Sequence, residues 1–150
     1  MPQITYVMKF TGTALPAAGD PNVVHVRTTG LSNVFTTHVT DAGVSGSMTA
    51  NPEGAAYLES EVTMRGQNSF VEKGMITFGE EGDHRLRFTT VGEGIVGAGV
   101  EVGQMQGCVL WRVEGGDGQF AGASGYVTSN FTMNQSGEVA DYQVGVISVP

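Results

Sequence analysis

Apolar and polar residues alternate with a period of two along most of this chain. Ile4, Tyr6, Met8 and Phe10 share one side of residues 3–10, and Gln3, Thr5 and Lys9 share the other. That is the pattern of a strand with one buried face. Leu58, Ser60, Val62 and Met64 repeat it in 56–65, and Phe70, Gly74, Ile76 and Phe78 repeat it in 69–79 with Glu72 among them. In 84–91, Leu86 and Phe88 oppose Arg85 and Arg87, and in 105–113 Met105, Val109, Trp111 and Val113 fall together. Ala121, Ala123, Val127, Phe131 and Met133 are predicted inward through 119–134, and Ala140, Tyr142, Val144 and Val146 inward on a last strand after Gly137.

Between these lie the punctuation marks. Residues 11–21 carry two prolines and two glycines and read as a loop, and the Val- and Thr-rich stretches 22–29 and 33–40 read as a hairpin about Gly30. A weaker strand, 44–49, precedes a turn at Asn51 to Gly54, and Glu80 to Asp83 form an acidic hairpin tip. Five glycines in 92–103 predict a bulge or bend. No window of 11 residues keeps a helical stripe without Gly or Pro breaking it. The expectation is an all-β fold: a single antiparallel closed β-barrel of about 8–10 strands over residues 1–150, its terminal strands paired so that no edge is left open.

Composition narrows the chemistry. A chain of 150 residues suits one domain, and 23 glycines scattered among apolar stretches fit many turns and bulges. The net charge of −8 opposes nucleic acid and anionic membranes as partners. With no apolar segment approaching spanning length and no leader pattern, a cytoplasmic location is expected. Cys108 is the only cysteine, so there is no internal disulfide or thiolate zinc cluster, and no base is placed by sequence to activate it. His25, His38 and His84 lack metal-ligand spacing. The pairs Gly92/Gly94 and Gly97/Gly99 lack the Lys-Ser/Thr and following helix of a phosphate loop.

The run from Trp111 through Gly125 takes an apolar strand into a Gly-Gly-x-Gly-x-Phe-x-Gly-x-x-Gly turn. It resembles the corresponding segment of allene oxide cyclase-like and dirigent-like barrels, and the likeness extends loosely from Gly74 to Val149. In that reading Gly115, Gly116 and Gly118 supply positive φ, Phe120 plugs the barrel end, and the whole is a calycin-like barrel. The resemblance implies a lumen that binds an apolar molecule and guides its cyclisation or isomerisation. No catalytic residue carries over by motif.

The residues themselves supply the candidates. Glu72, on an otherwise apolar face, must be hydrogen-bonded, protonated or in contact with cavity water, and can serve as a general acid or base. Tyr6 and Tyr142, on neighbouring terminal strands, are the other catalytic candidates, with hydroxyls predicted to converge on one ligand atom or on Glu72. Trp111, Phe70, Phe88, Thr90 and Glu93 are the expected ligand-binding residues. Two functions follow. One is a cofactor-independent barrel that binds a hydrophobic small molecule in its lumen and acts as an isomerase or cyclase. The other is a non-enzymatic binding or structural barrel with a filled core. A lumen of roughly 300 Å³ or more separates the first from the second. In either case outward apolar residues such as Leu110 and Ile147 call for a homo-oligomer, a dimer or trimer.

Overall fold

The computed structural model describes residues 2–150 and consists of strands with a single 3-10 turn. In chain order the strands are β1 (Gln3–Ala17), β2 (Asp20–Thr40), β3 (Gly43–Met64), β4 (Ser69–Phe78), β5 (His84–Thr90), β6 (Gly94–Ala98), β7 (Met105–Asp117), β8 (Ser124–Met133) and β9 (Glu138–Ser148). Each pairs antiparallel with its neighbours, β3 meets β4, and β9 returns to β1 with Ile4 opposite Ile147 and Phe10 opposite Asp141. The result is a closed antiparallel barrel.

Nine strands in a meander would bring the first and last together in parallel. The conflict is resolved because β5 and β6 occupy one position, both lying antiparallel to β4 and β7. Between them the chain kinks at Val91, Gly92 and Glu93, where Val91 N–H still donates to the Leu110 carbonyl. The glycine-rich segment is thus the expected bend, and eight positions close the barrel.

Three expectations about strand limits need correction. β1 runs on to Ala17, so the expected loop shrinks to a tight turn at Gly19, whose φ is +84°. Gly30 is not a hairpin: β2 continues through it, and the Phe10 ring lies where a Cβ would stand, 2.7 Å away. The Asn51 to Gly54 turn is a bulge inside β3, since Ser32 pairs with Asn51 while Leu31 pairs with Ala55. Beyond that bulge β2 and β3 leave the barrel as a two-stranded ribbon, Ser32–Thr40 with Gly43–Asn51.

The interior has two unlike halves. Towards the end that carries the β4–β5 and β7–β8 connections, Tyr6, Phe78, Phe120, Leu86, Ile147 and Val149 fill the barrel, with the Phe78 and Phe120 rings 5.1 Å apart. Phe120 plugs this end as expected. Of the turn glycines before it, Gly115 and Gly118 have φ of +78° and +61°, but Gly116 does not; its Cβ would collide with the Arg85 carbonyl. Ala121, expected inward, is exposed, while Ala123 is buried. At mid-height Phe88 stacks on Trp111 with centroids 3.9 Å apart. Towards the other end the packing opens.

Candidate functional site

The open half is a mouth with a cavity of about 110 Å³. Its wall is apolar: Val24, Val26, Val62, Val96, Val139 and Ala14, three methionines (Met64, Met105, Met133), and the facing rings of Phe70 and Phe131, 5.8 Å apart. Three polar residues complete it, Glu72, Ser129 and Asp141. Among the described residues no Lys, Arg or His lines the space.

Glu72 reaches the interior because alternation along β4 places it between Phe70 and Gly74, and it is 8% exposed. Ser60 Oγ donates to its Oε2 at 2.5 Å and Trp111 Nε1 donates to its Oε1 at 3.1 Å. Thr90 pins the backbone at this residue: its Oγ1 accepts the Glu72 N–H at 2.7 Å and donates to the Glu72 carbonyl at 2.9 Å. Burial pushes the Glu72 carboxyl up to about 7; the Ser60 hydrogen bond opposes this, the Asp141 charge adds to it, and the Trp111 hydrogen bond again opposes.

Asp141 is the second interior acid, 6% exposed. Ser129 Oγ donates to Oδ1 and Gln143 Nε2 to Oδ2, each at 2.7 Å, and the Tyr6 hydroxyl donates to Gln143 Oε1 at 2.7 Å. Burial raises this carboxyl to about 6 against the lowering effect of its hydrogen bonds with Gln143, Ser129 and the Asn130 backbone. The Tyr6 phenol is pushed well above its ordinary value, by burial first and the Asp141 charge second. Two buried carboxylates therefore stand at the inner limit of an apolar mouth, each held by neutral donors.

Of the expected site residues, Glu72 and Phe70 line the cavity. Tyr6 is buried and reaches the site only through Gln143 and Asp141. Trp111 and Phe88 form the packed layer behind Glu72 and do not line the mouth, and Thr90 acts on the Glu72 backbone. Tyr142 points outward: its ring packs against Phe35 of the ribbon, with Lys9 Nζ 5.5 Å from its centroid. Glu93 is exposed in the kink between β5 and β6.

The Tyr142 error has a plain cause. Expecting valines inside placed Val144 and Val146 inward, but they are 42% and 48% exposed, while Asp141, Gln143 and Ile147 of the opposite parity are buried. Asp141 and Gln143 were missed for that reason, whereas Ser129 lies on the face of β8 expected inward, between Val127 and Phe131, and was not singled out there. Ile147 was the available signal, since its parity with Asp141 is fixed by the strand. It is 0% exposed, so it is not an outward residue awaiting a partner.

Among the described residues no group of three or more His, Cys, Asp and Glu is placed to hold a metal ion, and no helix is long and apolar enough to cross a membrane. No family model, curated protein or solved structure matches the chain. The fold and the site define a small β-barrel with an apolar mouth and a pair of buried acids.

Proposed function

We propose that the barrel binds an apolar small molecule end-first in this mouth, presenting the ligand's polar group to Glu72 and Asp141. The observation that carries the reading is the coexistence of an apolar wall with two buried acids facing the same space. A cavity of about 110 Å³ falls below the roughly 300 Å³ set above for an enclosed ligand site, which counts for the filled barrel as far as a wholly enclosed ligand is concerned. It compares with the engineered apolar cavity of about 150 Å³ that takes up benzene. The site therefore takes one ring or a short branched end, and the remainder of a longer ligand lies outside.

The chemistry available is proton transfer. At neutral pH Glu72 is close to half-ionised, so it can remove a proton from one ligand atom and return it to another, which isomerises the ligand with no net loss of atoms or electrons. Asp141, its carboxyl also raised by burial, faces the same cavity. Membership of the allene oxide cyclase-like barrels is part of this proposal, supported by the positive φ of Gly115 and Gly118 and the end plug Phe120. So is self-association. On the outer faces of β7, β8 and β9, Tyr126 pairs with Val146, and Leu110 and Val144 flank Thr128, a patch suited to a second copy.

The filled-barrel alternative draws on the closed half, where Phe10, Phe88, Trp111 and Ile147 leave no room. Native mass spectrometry of purified protein, followed by Trp111 fluorescence titration with ring-sized apolar probes, separates the two readings. A retained ligand, or a saturable change in Trp111 emission abolished by Ala14→Phe in the cavity wall, supports the proposal. A ligand-free protein whose emission responds to no probe establishes the filled barrel.

A further inference from the structure

Buried carboxylates ordinarily stand beside a cation that compensates for lost hydration. Here neither does. Glu72 is held by Ser60 and Trp111, Asp141 by Ser129 and Gln143, all neutral, and no basic residue lines the space they share. The titratable groups facing this space from the surrounding strands are Glu72 and Asp141, with the Tyr6 phenol joined to them through Gln143.

Glu72 accepts one protein hydrogen bond on each oxygen and Asp141 accepts three, from Ser129, Gln143 and the Asn130 backbone, whereas a carboxylate offers about four acceptor positions. Acceptor capacity therefore remains for an incoming donor. Two residues beyond Val26 on β2, behind the residues that line the cavity, the buried hydroxyl of Thr28 has no hydrogen-bond partner among the described residues.

We infer that the ligand of this mouth is an apolar amine, whose ammonium group is the missing counter-charge of the Glu72–Asp141 pair and whose hydrocarbon end lies against the valines, methionines and the Phe70 and Phe131 rings. The inference rests on the binding mode proposed above. The same wall excludes an apolar carboxylate, because it would bring a third negative charge to two that already repel each other's ionisation. A neutral alcohol of equal shape gains the wall and a hydrogen bond but no charge compensation.

The test uses the whole protein and three matched probes, benzylamine, benzyl alcohol and benzoate, titrated calorimetrically at pH 7.5. The expected result is benzylamine binding at least tenfold tighter than benzyl alcohol, no detectable benzoate binding, and proton release on amine binding, read as dependence of the heat on buffer ionisation enthalpy. In Glu72→Gln and in Asp141→Asn, each checked for a native circular dichroism spectrum, the amine preference falls to threefold or less while alcohol binding persists. Alcohol binding as tight as amine, or an amine preference unchanged in both variants, overturns the inference and leaves the apolar mouth standing. Failure of all three probes to bind overturns the mouth itself as a ligand site.

Discussion

Replacing Glu72 by Gln isolates the cost of burying its charge. The folded state holds a proton up to about pH 7, whereas the ordinary value is 4.5. Between those values the unfolded chain releases a proton that the native protein keeps, so stability is fully present below pH 4.5 and falls as pH rises towards 7. The rise from 4.5 to about 7 corresponds to about 3 kcal/mol. Asp141, raised from 3.8 to about 6, adds a loss of similar size over a slightly lower window. Gln reproduces the protonated carboxyl: its oxygen accepts from Trp111 and its amide donates to Ser60 Oγ. Urea unfolding at 25 °C should therefore find Glu72→Gln within about 1 kcal/mol of wild type at pH 5 and more stable by about 2–3 kcal/mol at pH 8.5. In a chain of 150 residues that difference is about 6–10 °C in Tm. A wild type whose stability is flat or rises from pH 5 to pH 8, or a variant that parallels it throughout, refutes the reasoning.

Four further outcomes follow from the structure. Gly74→Ala sets a Cβ 2.5 Å from the Glu59 carbonyl and 2.8 Å from the Phe88 ring tip, and should cost about 1–3 kcal/mol by urea midpoint. Tyr6→Phe leaves Gln143 Oε1 buried without its donor at a cost of about 1–3 kcal/mol, whereas Tyr142→Phe, on the outer face, should leave ligand binding unaltered in the fluorescence titration. Val146→Glu on the outer patch should shift the protein to monomer in light scattering if copies associate there, with no change in circular dichroism.

Much of β3, β4 and β5 was legible from alternation alone. Leu58, Ser60, Phe70, Glu72, Ile76, Leu86 and Phe88 are buried where period two places them, and a lone acid among phenylalanines announced the site. β9 was not legible, because its outer face carries Tyr142, Val144 and Val146 and its inner face Asp141 and Gln143. Hydropathy misleads in such a strand. Exposed valines cost little on a barrel's outer wall, while buried polar groups are tolerated wherever neighbouring strands satisfy them.

The sequence by itself determined that the chain forms strands and that Glu72 faces inward, since strand parity is a local property of the backbone. The tertiary structure decided everything that depends on which strands become neighbours. It joined β5 and β6 into one position, carried β2 straight through Gly30 beneath the Phe10 ring, and set Asp141 beside Ser129 and Gln143. Only closure could place two acids from strands as far apart in the chain as β4 and β9 on one small cavity, because their shared desolvation is a property of the enclosed space and of no single strand.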